Sequence, residues 1–258
     1  MNNKIQWHPG FTAAIPEDNE RHFDCPQTLR EIERFQTPDW AENQVIYQIF
    51  PSRFATSKQV PENVWYQAPI RHDADLKGDL RGIIQKLPYI RDLGVDVIYM
   101  TPIFYSKSAH KYDTIDYYTI DPTFGTEADL VELVEKAHAM GMRVMLDGVF
   151  NHTSPEFFAF ADLVKHQEKS VYKDWYYVED FPLKLYPQRQ NYKCFGYFGG
   201  MPKVNLQNQA AAKYFTDVAL YWLRKTGMDG WRLDVADEIS HHFWRNFRKN
   251  TCNFPGIS

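Results

Sequence analysis

A strand with a charged end is predicted within residues 227–238, which read GMDGWRLDVADE. Two glycines bracket a turn, and a short run with strand composition follows it. Because side chains alternate in direction along a strand, Arg232 and Asp234 share one face, while Val235 lies on the other. A guanidinium stays charged at any working pH, so it keeps a neighbouring carboxylate ionised.

The Arg232–Asp234 pair has two interpretations. An ionised, oriented carboxylate at the end of a strand is what the nucleophile of a covalent glycosidase requires. Arginine–aspartate pairs also occur that only fix a strand to its neighbour. This strand alone favours neither interpretation.

The composition is that of an ordinary globular protein. The chain has 258 residues, of which 44% are hydrophobic and 24% charged, and its net charge is −4. This length suits one large domain or two small ones. Since there is no long basic run, we expect neither nucleic acid nor an anionic membrane as a partner.

The compartment is predicted from the cysteines and the apolar runs. Three widely spaced cysteines, an odd number, indicate free thiols in a reducing compartment. The first residues contain no apolar core of signal-peptide length, and no run approaches the roughly 20 apolar residues of a membrane helix. We therefore expect a cytoplasmic protein.

Strands and helices alternate four times along the chain. The predicted strands cover residues 45–50, 96–101, 143–149 and 230–235, and the predicted helices cover 80–93, 126–140, 208–225 and 239–249. Such alternation implies right-handed crossovers and a parallel sheet. A TIM (β/α)8 barrel has eight such units, so four units predict an α/β fold that forms its N-terminal half.

Two segments fall outside this alternation. Residues 1–40 are polar, contain four prolines, and are interpreted as a lead-in segment before a barrel portion at 41–258. Residues 151–206, after the third strand, have no clear repeat of the pattern. A connection of that length is usually functional or a small domain of its own.

Polar residues follow three of the predicted strands. They are His110, Tyr112 and Asp113 after the second, Asp147, Asn151 and His152 at the third, and Arg232, Asp234 and Glu238 at the fourth. Taken singly, His152 could be a satisfied loop histidine, Tyr112 a packing residue, and Asp147 a cap. Barrel enzymes collect their site residues at the C-terminal ends of the strands, so the coincidence favours a site.

Three motifs resemble those of the alpha-amylase family of glycoside hydrolases. Residues 147–152 (DGVFNH) are similar to its first motif, and residues 230–234 (GWRLD) are similar to its second. Residues 201–205 (MPKVN), together with VADE at 235–238, resemble the neopullulanase, cyclomaltodextrinase and maltogenic amylase subgroup. The resemblance extends from about residue 38 to residue 247.

The resemblance implies catalytic roles for residues of the strand ends. Asp234 would be the nucleophile of a retaining alpha-glucan hydrolase, and Arg232 would orient it and keep it ionised. Asp147 would support both Arg232 and Asp113 from inside the barrel.

The resemblance also implies substrate contacts. Tyr112 would stack under the sugar ring, and His152 would hydrogen-bond its hydroxyls. His110 and Glu238 would line neighbouring substrate positions, and residues 151–206 would be the inserted domain that walls the cleft. The partner would be an alpha-glucan oligosaccharide, from cyclomaltodextrin, pullulan or starch.

The resemblance is incomplete at the carboxyl end. Retaining hydrolysis needs two carboxyl groups about 5–5.5 Å apart, and the family's general acid Glu follows a fifth strand, with a further Asp and His after a seventh. We therefore expect either an incomplete hydrolase or a catalytically inactive, truncated fragment with weak alpha-glucan binding. The loss of helical pattern in residues 251–258 fits a frameshift.

A half barrel is expected to have unsatisfied surfaces. The first and fourth strands would be open edges that invite self-association, and helix 239–249 would leave an apolar side uncovered. We expect no cofactor and no metal. Residues 55–59 supply no carboxylate for calcium, and Asn151 by itself would supply only one of the several oxygen ligands that calcium needs. Residues 1–40 are too short for the β-sandwich that precedes the barrel in the subgroup.

Overall fold

The structure, a computed structural model, describes residues 38–59, 76–186 and 189–251. Its strands are β1 (Ile46–Ile49), β2 (Val97–Met100), β3 (Phe104–Tyr105), β4 (Asp116–Ile120), β5 (Arg143–Gly148) and β6 (Gly230–Leu233). Four of them form one parallel sheet in the order β1-β2-β5-β6, and β3 pairs with β4 antiparallel. The predicted α/β fold with four parallel strands in chain order is confirmed.

The helices are α1 (Pro51–Phe54), α2 (Leu80–Asp92), α3 (Glu127–Ala139), α4 (Phe158–His166), α5 (Gln209–Thr226) and α6 (His241–Thr251). Helix α3 has a reciprocal cap: the Thr126 hydroxyl accepts from the Asp129 N–H, and the Asp129 carboxylate accepts from the Thr126 N–H. The side chain of Asn208 caps α5 by accepting from two backbone N–H groups. These caps satisfy donors that a helix start leaves free.

Four of these strands and helices were not predicted: α1, α4, β3 and β4. Helix α1 begins at Pro51, directly after the first predicted strand, because the fixed φ of proline suits the first turn of a helix. Strands β3 and β4 follow the second barrel strand, and their register is irregular beside Tyr105. Helix α1 has four residues and β3 has two, which are too few for a periodicity to be recognised in the sequence.

Strand β6 ends earlier than expected. It stops at Leu233, and Val235 adopts a left-handed backbone with φ 49° and ψ 41°. The prediction that Val235 lies on the apolar face of the strand is therefore wrong. After Asp234 the chain turns at Val235 into a 3-10 helix at Ala236–Glu238. A left-handed backbone is rare for a β-branched residue, so the sequence did not predict this turn.

The core lies between the sheet and the helices around it. All four residues of β2 are buried, as the apolar run predicted for a strand covered on both faces. The expectation that α6 leaves an apolar side uncovered is wrong, because Phe243 and Phe247 are buried. Phe247 packs against Phe150, which follows β5, with ring centroids 5.7 Å apart.

Some expectations lie outside the described residues. Residues 1–37 hold most of the lead-in segment, and residues 252–258 hold most of the tail. Cys25 and Cys252 lie in these ranges, whereas Cys194 is a free thiol. Among the described residues, no helix combines the length and the apolar character needed to cross a membrane.

Candidate active site

The buried carboxylate of Asp147, at the end of β5, accepts hydrogen bonds from three side chains. Asp147 is 1% exposed and accepts hydrogen bonds from Tyr99 Oη, from Tyr112 Oη at 3.1 Å, and from Arg232 Nη1 at 3.2 Å. Asp147 and Arg232 are register partners in the parallel pair β5–β6, which places them side by side. Asp147 thus links the ends of β2, β5 and β6.

Arg232 also contacts Asp234. Its Nη1 lies 2.5 Å from Asp234 Oδ1, and the Asp234 backbone N–H donates to the Gly148 carbonyl at 3.1 Å. These contacts orient the carboxylate of a residue that is 8% exposed. In the part of the chain that the structure describes, Asp234 Oδ2 has no hydrogen-bond partner, so this oxygen is available for bond formation.

Burial governs the protonation of the groups around Asp147. It raises the pKa of Asp147 to about 6, against the opposing hydrogen bond from Tyr99 and the charge of Arg232. Burial and the Asp147 charge raise the pKa of Tyr112 to about 12. Both effects also raise the pKa of Tyr99, so the two phenols stay protonated and act as donors.

His152 is a neutral histidine beside this network. It is 1% exposed, and burial lowers its pKa to about 4, although the charges of Asp234 and Glu238 act in the opposite direction. The ring of Phe195 stacks on the imidazole at 4.9 Å with an interplanar angle of 20°. The buried Nε2 atom has no protein partner in the described residues, so it is available to a ligand hydroxyl.

The loop between β3 and β4 carries the other predicted residues. His110 Nδ1 accepts from the Tyr112 backbone N–H at 3.1 Å, and half of its side chain is exposed. Asp113 Oδ1 accepts from Ser106 Oγ at 2.7 Å and from Ser108 Oγ. Within the described residues, Asp113 makes no direct contact with Asp147. The support that the resemblance implied for it comes from this serine pair, on its own loop.

A buried lysine holds the same loop. Lys111 Nζ lies 2.7 Å from Asp121 Oδ2 and donates to the Ser106 carbonyl at 2.8 Å. Lys111 also has a left-handed backbone, with φ 64°. Because it immediately precedes Tyr112, this anchor fixes where the Tyr112 side chain leaves the loop.

Glu238 connects the end of β6 to the segment after β5. Its Oε2 accepts from Lys203 Nζ at 2.8 Å and from Asn151 Nδ2 at 3.2 Å. Lys203 belongs to the MPKVN motif and pairs with His152 through an isolated antiparallel bridge. One carboxylate of the VADE residues therefore joins the DGVFNH and MPKVN motifs.

Four residues of this arrangement were not predicted from the sequence: Tyr99, Lys111, Phe195 and Lys203. Tyr99 lies in a predicted strand, but its contact with Asp147 spans 48 positions and depends on the sheet order. Only Lys203 carried a signal, since it lies inside a quoted motif. In the described ranges there is no group of three or more His, Cys, Asp or Glu side chains that could hold a metal ion.

Comparison with known proteins finds one family. The family model described as the catalytic domain of alpha amylase matches residues 48–254. A cyclomaltodextrinase of Geobacillus thermopakistaniensis (strain MAS1) is 46% identical over 244 residues, which are 93% of this chain and 41% of that protein. Neopullulanase 2 of Thermoactinomyces vulgaris is 48% identical over 227 residues, which are 86% of this chain and 38% of that protein.

Solved structures agree with this comparison. A structure titled cyclomaltodextrinase superposes with a TM-score of 0.78 at 43% identity, covering 84% of this chain and 38% of the other. The chain thus spans about two fifths of the length of the curated relatives it matches.

Proposed function

Because the chain belongs to the family of the alpha amylase catalytic domain, we propose that it carries the nucleophile of a retaining alpha-glucan hydrolase. The observation that carries this proposal is the 2.5 Å contact between Arg232 Nη1 and Asp234 Oδ1. Within the described residues, it leaves Oδ2 of the oriented Asp234 carboxylate without a hydrogen-bond partner. This is the state that attack on an anomeric carbon requires.

The residues act as follows in this proposal. Asp234 Oδ2 attacks the anomeric carbon, and the bond from that carbon to the leaving oxygen breaks with its electron pair on the oxygen. A carboxylic acid protonates this oxygen, and a glycosyl ester of Asp234 forms. Arg232 orients the carboxylate, and Asp147 holds Arg232 in place. A water molecule then cleaves the ester and releases the sugar with its original anomeric configuration.

The substrate contacts come from neutral donors and flat rings. His152 Nε2 is buried, unpartnered and uncharged near pH 7, so it binds a sugar hydroxyl without adding charge. Tyr112 supplies a ring beside Asp147, with His110 and Asp113 on the supporting loop and Glu238 at the neighbouring sugar position. We propose cyclomaltodextrin, pullulan or starch oligosaccharides as substrates, which is in keeping with the names of the relatives.

The second candidate is a chain that binds alpha-glucans without cleaving them. The observation that favours it is the coverage of only 38–41% of the relatives, because a retaining reaction also needs a carboxylic acid to protonate the leaving oxygen. Here Glu238 Oε2 is occupied by Lys203 and Asn151. Asp147 is occupied by three donors.

We further propose the organisation of the chain and its compartment. Residues 1–40 are a lead-in, residues 41–258 a portion of the barrel, and residues 151–206 an inserted subdomain tied to the sheet through the His152–Lys203 bridge. The free thiol of Cys194 agrees with a reducing cytoplasm.

The deciding experiment uses a substrate whose leaving group needs no acid. Fluoride departs from α-maltosyl fluoride without protonation, so its release reports the nucleophile alone. We expect fluoride release by the wild-type chain and its loss in Asp234→Asn. The matched control is Asp237→Asn, which removes an exposed carboxylate three residues away and should retain release.

The same assay separates the two candidates. Hydrolysis of β-cyclodextrin as well as the fluoride supports a complete hydrolase, whereas turnover of the fluoride alone supports a site without an acid. Equal fluoride release by wild type and Asp234→Asn would exclude Asp234 as the nucleophile.

A further inference from the structure

An aromatic turn projects from the segment after β5. It comprises residues 195–201, which read FGYFGGM and include no charged residue. At its tip Tyr197 is 95% exposed, although the side chain is large. Gly196 and Tyr197 are both left-handed, with φ values of 56° and 63°. A left-handed backbone is unfavourable for tyrosine, so the conformation that exposes the Tyr197 ring costs some folding free energy.

The turn is rigidly connected to the candidate active site. The Phe195 N–H donates to the Met201 carbonyl at 3.0 Å and closes the turn. The Lys203 N–H donates to the Lys193 carbonyl at 3.0 Å, and Lys203 pairs in turn with His152. Phe195, the first residue of the turn, stacks on the His152 ring.

A second aromatic pair lies beside the tip. Phe198 and Tyr186 are partly exposed, and their rings are 5.1 Å apart. The backbone beneath them is held by the Tyr192 hydroxyl, which donates to the Gly199 carbonyl at 2.7 Å, and by Gln190 Nε2, which donates to the Tyr197 carbonyl at 3.1 Å. Hydrogen bonds therefore hold the backbone that carries the rings of Tyr197 and Phe198.

We propose that Tyr197, with Phe198 and Tyr186, binds an alpha-glucan chain that extends out of the site at His152. The ligand class follows from the surface: flat rings without charged neighbours in the turn suit the apolar faces of a neutral polyol, and an ordered base lowers the entropy lost on binding. Phe195 belongs to the turn and also stacks on His152. One glucan chain can therefore contact both the turn and the site at His152. This inference rests on the proposed function for its ligand class.

The test compares the binding of maltoheptaose by calorimetry in four proteins. Tyr197→Ala should weaken binding about fivefold to tenfold, the size of one aromatic contact, and Tyr197→Phe should retain wild-type affinity because stacking needs no hydroxyl. Tyr89→Ala is the matched control: Tyr89 is 53% exposed but lies on helix α2. Since Tyr197 is almost fully exposed, its removal should leave the melting temperature unchanged.

Several outcomes would overturn the proposal. They are equal affinity of wild type and Tyr197→Ala, absence of maltoheptaose binding by the wild-type chain, or a Tyr197→Ala variant that changes only the oligomeric state. The last would assign the turn to contacts between copies of this chain.

The α-maltosyl fluoride assay distinguishes this proposal from the proposed function. Its short sugar is bound at the reacting carbon, so Tyr197→Ala should keep fluoride release while Asp234→Asn loses it. Weakened maltoheptaose binding in Tyr197→Ala, combined with unchanged fluoride release in Asp234→Asn, would leave the turn as a glucan site and remove Asp234 as the nucleophile.

Discussion

The chemistry of this chain depends on how four side chains share charge. Arg232 lies between Asp147 and Asp234, and Tyr99 completes the group by donating to Asp147. Asp147 is buried and accepts hydrogen bonds from three donors, whereas Asp234 Oδ2 has no hydrogen-bond partner within the described residues. Two carboxylates on one guanidinium therefore have different environments, and we propose that Asp147 is structural and Asp234 reactive.

His152 gives a prediction for stability against pH. Its pKa is about 4 in the folded chain and about 6.5 in the unfolded chain. Between these values the unfolded state binds the proton and the folded state does not, so the stability contributed by the neutral imidazole is complete above pH 6.5 and is lost as the pH falls toward 4. The whole difference corresponds to about 3 kcal/mol.

The measurement is urea denaturation of wild type and His152→Gln at pH 7 and pH 4.5. Because the raised pKa of Asp147 acts in the opposite direction over the same range, the quantity to compare is the difference between the two proteins, in which Asp147 cancels. We expect the wild type to lose about 2–3 kcal/mol relative to the variant on acidification. A difference that stays constant with pH would contradict the neutral, buried assignment.

Helix α2 and helix α1 approach each other more closely than a side chain allows. A Cβ atom added at Gly82 of α2 would lie 2.3 Å from the Ala55 carbonyl oxygen, at the end of α1. Helix propensity alone would make alanine the better residue at this position, by about 1 kcal/mol. The packing requires glycine instead, because the obstacle is backbone that cannot rotate away.

We therefore expect Gly82→Ala to destabilise the chain by about 1–3 kcal/mol, opposite in sign to its helix propensity. Thermal or urea denaturation measures this change. Gln85→Ala, at an exposed position of the same helix, is the control and should stay within about 0.5 kcal/mol of wild type. A gain in stability from Gly82→Ala would show that α1 shifts freely against α2.

The sheet as a whole has two edges within the described residues. Strand β1 pairs only with β2, and β6 pairs only with β5, so each leaves one side of its backbone without a strand partner. Edge strands of a parallel sheet readily pair with other chains. Ile46 of β1 is 58% exposed, and Val45 beside it is also exposed.

We predict self-association through these edges. Sedimentation velocity of the wild-type chain should detect dimers or larger species, and Ile46→Lys should shift them toward monomer because a charge on an edge strand opposes pairing. Leu93→Lys changes an equally exposed residue at the end of α2 and should leave the distribution unchanged. A wild-type chain that stays monomeric at all concentrations would contradict the prediction.

Much of the fold could be read from local pattern. The four barrel strands, four of the helices and the caps at Thr126 and Asn208 follow from composition and short-range spacing, since each depends on residues a few positions apart. The Arg232–Asp234 contact belongs to this class, because its members are two positions apart in the chain. Short elements such as α1 and β3 fall below the length at which such patterns are visible.

The site itself required the three-dimensional arrangement. Tyr99 reaches Asp147 because the sheet order places β2 beside β5, and Phe195 reaches His152 because an antiparallel bridge folds the long segment back. Asp113 accepts hydrogen bonds from Ser106 and Ser108 of its own loop, although the family resemblance had linked it to Asp147. Sequence carries the identity and local direction of each side chain, whereas burial and partners come from segments that meet only on folding. These segments set the pKa values of Asp147 and His152, and within the described residues they leave Asp234 Oδ2 without a hydrogen-bond partner.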